Sequence, residues 1–352
     1  MTQAALRIIA GKEFSDHLRS RRFHLLFAIL AVVAAVGMIT GAVQYSKDLS
    51  DYNAVQMIAE GDDDPTLAGN LAGMKPSVLS AYSQMGMLMA GIGVVLGIAM
   101  GFDLVTREKE SKSLKSLLAY PVFRDEVING KALGGVGAIA LAMGVVLIVS
   151  VAIMALFGIV PNLDELVRIL VFGVTSFLLV FTFFALALLM STVSKDSGSA
   201  LLYSLIVMIV LSSFIPIFAY TPVYSAVFGD APTPPGMSTY SYQQSSSAYT
   251  VTSVAVAYKS DDAVDPEALA EYERASREYM NQKRTITDIV TLVSPTGNYQ
   301  TILGAVSQPA GENTPGLGNL LGALACNIIA LLAMPAAFFG LAWVRFMRED
   351  IR

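Results

Sequence analysis

Six long stretches of this chain, residues 23–46, 76–102, 132–163, 169–194, 197–229 and 313–344, contain no Asp, Glu, Lys or Arg. Each is longer than the roughly 20 residues with which an α-helix crosses about 30 Å of hydrocarbon. A charge at the bilayer centre costs at least about 2.5–3.5 kcal/mol, so such gaps are what a membrane selects. The stretches are continuously apolar and lack the period-two alternation of barrel strands, which leaves the helix as the spanning form. The pattern predicts an all-α polytopic membrane protein with six transmembrane helices, roughly at 24–45, 80–103, 132–158, 168–193, 199–220 and 316–344.

The segment between the fifth and sixth spans is too long for a connector and must carry structure of its own. It begins Pro- and Gly-rich (Pro222, Pro232, Pro234, Pro235, Gly236) and continues into a Ser/Tyr/Gln stretch at 238–249. The Thr/Val-rich run at 250–258 reads as a strand. Asp265-Pro266 reads as an N-cap with proline at the first helical position. A helix is expected from 266 to about 293, carrying Leu269, Tyr272, Tyr279, Ile286, Ile289 and Val293 near helical spacing and the i,i+4 pair Glu273–Arg277. Ser294-Pro295-Thr296-Gly297 ends it. The expected organisation is a membrane domain over 1–220, an extracytoplasmic α+β or mainly helical insertion over 221–314, and the sixth helix with its tail over 315–352.

Composition agrees with the pattern. Hydrophobic residues make up 54% and charged residues 14%, against about 25% charge in soluble domains. Mean hydropathy is +0.59. The net charge of −5 becomes informative once it is partitioned over the spans. With an even number of spans both termini lie on one side. That side would hold 15 of the 23 cations, whereas the short loops on the other hold only Lys47, Lys75 and Arg168. The positive-inside rule therefore puts both termini in the cytoplasm, in a cell (plasma) membrane. The inner segments sum to +5 and the outer ones to −10. The first span follows Arg19, Arg21 and Arg22 but exceeds a signal-peptide core and has no clear A-x-A site after it, so it reads as a retained helix.

Several chemistries are excluded. A single cysteine, Cys326, forms no intrachain disulfide. Two histidines, His17 and His24, are too few for a His-rich metal site, and no H-E-x-x-H occurs. The acidic run Asp62-Asp63-Asp64 reads as a solvated loop closed by Pro65. A P-loop needs G-x-x-x-x-G-K-[ST]; around Gly130-Lys131, Asp125 stands for the first glycine and Ala132 for the hydroxyl residue. The chain is expected to be no enzyme and to bind no cofactor or metal. Nothing in it points to nucleic acid.

The segment between the second and third spans is the most informative. Leu114, Leu117 and Leu118 form one apolar stripe. Glu108 precedes Lys112 by four residues, the favourable order for a helical pair. Pro121 ends the helix. A short amphipathic helix of this kind lies on lipid or docks into a partner's groove, and the residues alone leave both open.

This segment resembles the cytoplasmic loop of ABC-type-2 transporter permeases. The matching positions are Asp103, Arg107-Glu108, Leu117-Leu118, Pro121-Val122, Arg124 and Gly130-Lys131. Lys112-Ser113 departs from the family's usual Gly-Thr. Residues 12–22, with Glu13, Phe14, Leu18 and Arg19, resemble the amphipathic connecting helix that precedes the first span in this family. Within that family the chain resembles the permeases associated with gliding motility and nitrous-oxide-reductase maturation. The resemblance covers the membrane part and not 221–314. It implies a permease subunit of an ATP-driven exporter, with a second permease copy and a separate cytoplasmic ABC ATPase that binds ATP and Mg. The coupling helix would be about 108–120, carrying Glu108, Leu114, Leu117 and Leu118, with Pro121 and Arg124 after it. The connecting helix would be the second ATPase contact. Gly93, Gly97 and Gly101 repeat every four residues and mark either a dimer seam or a packing face within one subunit. A membrane scaffold or sensor whose outer subdomain binds a ligand or protein is the alternative.

Overall fold

The computed structural model describes residues 3–59, 76–112, 123–219, 221–235, 237–246, 249–258, 266–307 and 317–348. Helix α1 (Gln3–Arg19) leads into α2 (Arg21–Ala59). The break falls at Ser20, whose Oγ accepts from the Phe23 N–H at 3.0 Å and caps the new helix. The next span, α3, starts as Ser80–Leu88, passes through a π-helical turn at Met89–Gly93 and resumes over Val94–Gly101. The short α4 (Thr106–Glu110) follows, then the long α5 (Arg124–Leu156) and α6 (Leu163–Val193). Asp196 caps α7 (Ser197–Ile209), its carboxylate accepting from the Ser199 N–H and hydroxyl at 2.8 Å each. These bonds hold the Asp196 carboxyl below its usual range.

The chain divides into two compact units, Met1–Ile215 with Thr291–Arg352, and Pro216–Val290. Six helices in the described residues are long and apolar enough to cross a membrane: Arg21–Met57, Ser80–Glu110, Arg124–Leu156, Leu163–Val193, Ser197–Phe218 and Ala325–Met347. All six coincide with the predicted spans. Three start or end well away from the expected bounds; the sixth begins at Ala325 rather than 316. The first helix continues past residue 45 to Ala59, because nothing there breaks it: Gln44 donates to Asp48 at 2.7 Å across one turn. The third begins at Arg124 rather than 132, carrying Lys131 inside it.

In the larger unit α6 is the central helix. Of its most apolar stretch 61% is buried, against 6% for the fifth span. α2 shows how such a bundle differs from a soluble core. Leu30, Ala34, Met38 and Ala42 are 0–3% exposed, while Leu25, Val32 and Val36 on other faces are 54–61% exposed. A helix apolar all round meets protein on one face and lipid on the rest.

Residues 291–307, expected in the insertion, fold with the membrane helices. Ser294 caps α10 (Pro295–Val306), with proline at its first turn. Tyr299 is fully buried and shares a hydrogen bond of 3.1 Å with Ser176 of α6. Asn298, also fully buried, donates to the Leu292 and Ser294 carbonyls and accepts from Asn327. α11 (Leu317–Ala323) and the last span, α12 (Ala325–Met347), complete this unit.

The smaller unit holds α8 (Thr221–Phe228), strands β1 (Met237–Ser246) and β2 (Tyr249–Tyr258), and most of α9 (Pro266–Val293). β2 covers the predicted Thr/Val-rich strand and α9 the predicted helix. The strands pair antiparallel, from Met237 opposite Tyr258 to Ser246 opposite Tyr249. β1 is the Ser/Tyr/Gln stretch, too polar to read as a strand, which pairs through its backbone. Within this unit Tyr224 is buried, with Tyr279 edge-on at 5.5 Å and the Lys283 ammonium 5.8 Å from its ring centre.

Candidate functional site: the base of the loop between the second and third spans

α1 lies along α5, and α5 is notched to receive it. A Cβ built on Gly134 would sit 2.6 Å from Glu13 Cβ and 2.9 Å from the Ala10 carbonyl. The close approach brings Glu13 to Lys131. The Lys131 ammonium donates to Glu13 Oε1 and Glu108 Oε1, each at 2.7 Å, and Lys131 is only 4% exposed. One cation thus joins three elements: α1 through Glu13, α4 through Glu108, and α5 itself. A second pair, Arg22–Asp103 at 2.9 Å, ties α2 to the end of α3, but with Arg22 74% exposed it contributes at most about 1 kcal/mol.

His17 lies one turn beyond Glu13 on α1. Its Nε2 is buried with no hydrogen-bond partner. Burial pushes its pKa down, against the upward pull of Glu13, Asp103 and Asp16 and alongside the downward push of Lys131. The imidazole is therefore neutral near pH 7. A histidine whose folded pKa is depressed below the usual value of about 6.5 leaves the unfolded chain holding more protons between the two values. Stability falls as pH drops through that window and levels off below it. His17→Gln is expected to lose this acid-side slope, measured as the unfolding midpoint of the full-length chain between pH 7.5 and 5. An unchanged slope would show that other groups carry it.

The other side of α4 is held by the turn between α6 and α7. Ser191 Oγ accepts from the N–H groups of Val105 and Thr106, at 3.0 and 3.1 Å, satisfying donors that a helix start leaves free. Lys109 donates to the carbonyls of Thr192 and Ser194, at 2.8 and 3.2 Å, where the negative end of α6 favours a cation. Glu110 Oε1 accepts from the Ser197 N–H at 2.6 Å, and the Ser197 hydroxyl donates to Thr106 at 3.0 Å. With 3.6 residues per turn, Glu108 points away from Thr106 and Glu110. One short helix therefore carries two sets of contacts on opposite sides, and displacing it disturbs both.

Among the expected site residues, Glu13 and Glu108 meet at Lys131. Phe14 packs on α5 at Gly137, Leu18 joins the hydrophobic core, and Arg19 is exposed at the end of α1. Arg124 opens α5, half-buried. Leu114, Leu117, Leu118 and Pro121 lie outside the described residues. The helix expected over 108–120 is interrupted: Lys112 has φ +57°, the left-handed region. Lys112 stands where the resembling family has glycine, the residue that adopts this conformation at little cost. Gly97 and Gly101 face α6: a Cβ on Gly101 would lie 2.6 Å from the Phe184 carbonyl, and one on Gly97 would collide with the Val180 carbonyl. Gly93 faces the Val180 side chain.

Sequence reasoning gave no role to His17, Ser191 or Ser197 and named Lys131 only within the Gly130-Lys131 resemblance. The available signal for Lys131 was a lysine directly before a long charge-free stretch, costly to bury unless paired. Among the described residues no group of His, Cys, Asp and Glu has the arrangement of a metal site, and Asp62–Asp64 lie outside them.

No curated protein matches this chain. The model of a family described as ABC-2 family transporter protein matches residues 7–351, nearly the whole length. Together with six membrane-crossing helices and a loop base wired to three of them, this places the protein: it belongs to the ABC-2 transporter family, as a multi-pass membrane permease component of an ABC transporter.

Proposed function

We propose that the chain is the permease half of an ATP-driven exporter, whose motor is a separate cytoplasmic ATPase subunit acting on the segment 108–120 and on α1. Lys131 carries this reading. A push on the loop reaches Glu108, and through Lys131 it reaches α1 and α5; through Ser191, Lys109 and Glu110 it reaches α6 and α7. ATP and Mg belong to the partner, since this sequence has no P-loop. The excess of cations on the inner segments supports cytoplasmic termini, in a plasma membrane. A second copy of the chain completes the path, and the fifth span, with 6% of its apolar stretch buried, offers a face for it or for lipid.

The test replaces Leu117 and Leu118 with Asp in the full-length chain. Two charges on the apolar stripe are expected to abolish copurification of the ATPase while membrane insertion and yield stay unchanged. Retained copurification would remove the coupling-helix assignment. If no ATPase copurifies with the wild-type chain, the exporter reading falls and the scaffold or sensor reading takes its place.

A further inference from the structure

The opposite end of α6 holds a cation that the loop-base arrangement does not use. Arg168, in the second turn of α6, is 6% exposed. Its hydrogen bond is a long one, 3.4 Å from Nη1 to the Val306 carbonyl at the end of α10. None of the ion pairs among the described residues includes it. Asp164 and Glu165 precede it by four and three residues, yet Glu165 is turned back to the Asn162 N–H at 2.7 Å and Asp164 is exposed. Five N–H donors and a full charge are thus withdrawn from water against a single carbonyl. The negative end of α10 compensates part of that charge and no more. Buried guanidinium groups ordinarily carry bidentate carboxylate or phosphate partners.

The surroundings say what else the partner must be. The same face of α6 continues inward through Phe172 and Ser176, at i+4 and i+8. There a small cavity is lined by Met85, Met89, Met143, Phe172, Gly173 and Ser176. Methionine side chains reshape readily around an apolar guest. α10 covers this face, held at Ser176 by Tyr299 and at Arg168 by the 3.4 Å bond. A cationic head site therefore sits one turn above an adaptable apolar one, beneath α10, whose end over Arg168 is held by the buried Ile302 and Val306 and by one long hydrogen bond.

Resting on the exporter reading, we propose that Arg168 receives the anionic head, phosphate or carboxylate, of an amphiphile whose apolar chain lies along α6 toward the methionine-lined cavity. α10 moves aside to admit it. The ligand class is an anionic single-chain amphiphile or an anionic bilayer phospholipid.

The experiment uses the full-length chain in a neutral maltoside detergent and follows thermal unfolding with three probes: dodecyl phosphate, phosphatidylglycerol and inorganic phosphate. Dodecyl phosphate near saturation is expected to raise the wild-type midpoint by about 2–4 °C. Inorganic phosphate at the same concentration leaves it unchanged. R168Q, which keeps a polar side chain but loses the charge and the guanidinium fork, should bind the amphiphile roughly tenfold or more weakly. R168K, which keeps the charge without the fork, should fall between. A phosphatidylglycerol response as strong as that to dodecyl phosphate assigns the site to bilayer lipid; a response to the single-chain phosphate alone assigns it to cargo. An equal shift in R168Q and wild type, or an equal shift with inorganic phosphate, overturns the proposal. ATPase copurification is read separately on the same preparations. If none copurifies while Arg168-dependent binding persists, the site stands and the exporter reading fails.

Discussion

Lys131→Met is expected to destabilise the full-length chain by about 3–5 kcal/mol, the loss that follows when one partner of a buried ion pair is removed. The cause is what remains behind. Glu13 and Glu108 each lie 2.7 Å from the ammonium, with side chains 15% and 22% exposed, so its removal leaves two largely buried carboxylates facing one vacated point. Glu108 Oε2 is already buried without a hydrogen bond, which leaves this carboxylate little alternative. Glu108→Gln placed on Lys131→Met should recover part of the loss, because an amide does not repel the remaining carboxylate. A Lys131→Met protein that unfolds at the wild-type midpoint at pH 7 would show that the three groups contribute no net coupling.

The second large effect is expected at the contact between α3 and α6. Gly97→Val and Gly101→Val should each cost at least the 1–3 kcal/mol typical of overpacking, and more because the obstacles are backbone. At Gly97 the new Cβ meets the Val180 carbonyl and lies 3.1 Å from the Phe184 nitrogen; at Gly101 it lies 2.6 Å from the Phe184 carbonyl and 2.9 Å from Ala187 Cβ. Carbonyls of a central helix do not swing away as a side-chain tip does, so the helices must separate. Gly144→Ala is the control. Nothing lies within 4 Å of a Cβ there, and the better helix propensity of alanine should leave stability unchanged or up to about 1 kcal/mol higher. Unfolding midpoints of the three variants in one detergent decide the matter. Tolerance of Gly97→Val equal to that of Gly144→Ala would mean that α3 and α6 do not approach so closely.

Helix ends depended on information of two kinds. Hydropathy marks where the membrane ends and says nothing of where a helix ends, which is why α2 outruns its apolar stretch to Ala59. Capping chemistry marks helix ends directly: Asp265-Pro266 was legible and α9 starts at Pro266, whereas Ser294-Pro295 was read as the end of that helix and also begins α10. Yet α10 itself went unread, because a 12-residue helix between Pro295 and Val306 is too short to register as a span. It is buried against α6 through Tyr299 and tied to α12 through Asn298, whose partners Ser176 and Asn327 lie 123 and 29 residues away in the sequence.

The number of spans, their order and the excess of cations at one end were determined by the sequence alone, because each rests on the transfer of a residue between water and lipid, a property of composition over about 20 positions. The resemblance around Asp103 and Gly130-Lys131 likewise belonged to the sequence, and the family match bears it out. Which residues meet was decided only by tertiary structure. Glu13 and Glu108 stood in two separate motifs, 95 positions apart. They converge because glycines on α5 let α1 approach to contact and because Lys131 lies between them. The Gly97–Gly101 repeat announced a close approach; only the fold says that α6 fills it. A periodic stripe states that a face will be covered, and what covers it depends on the rest of the chain.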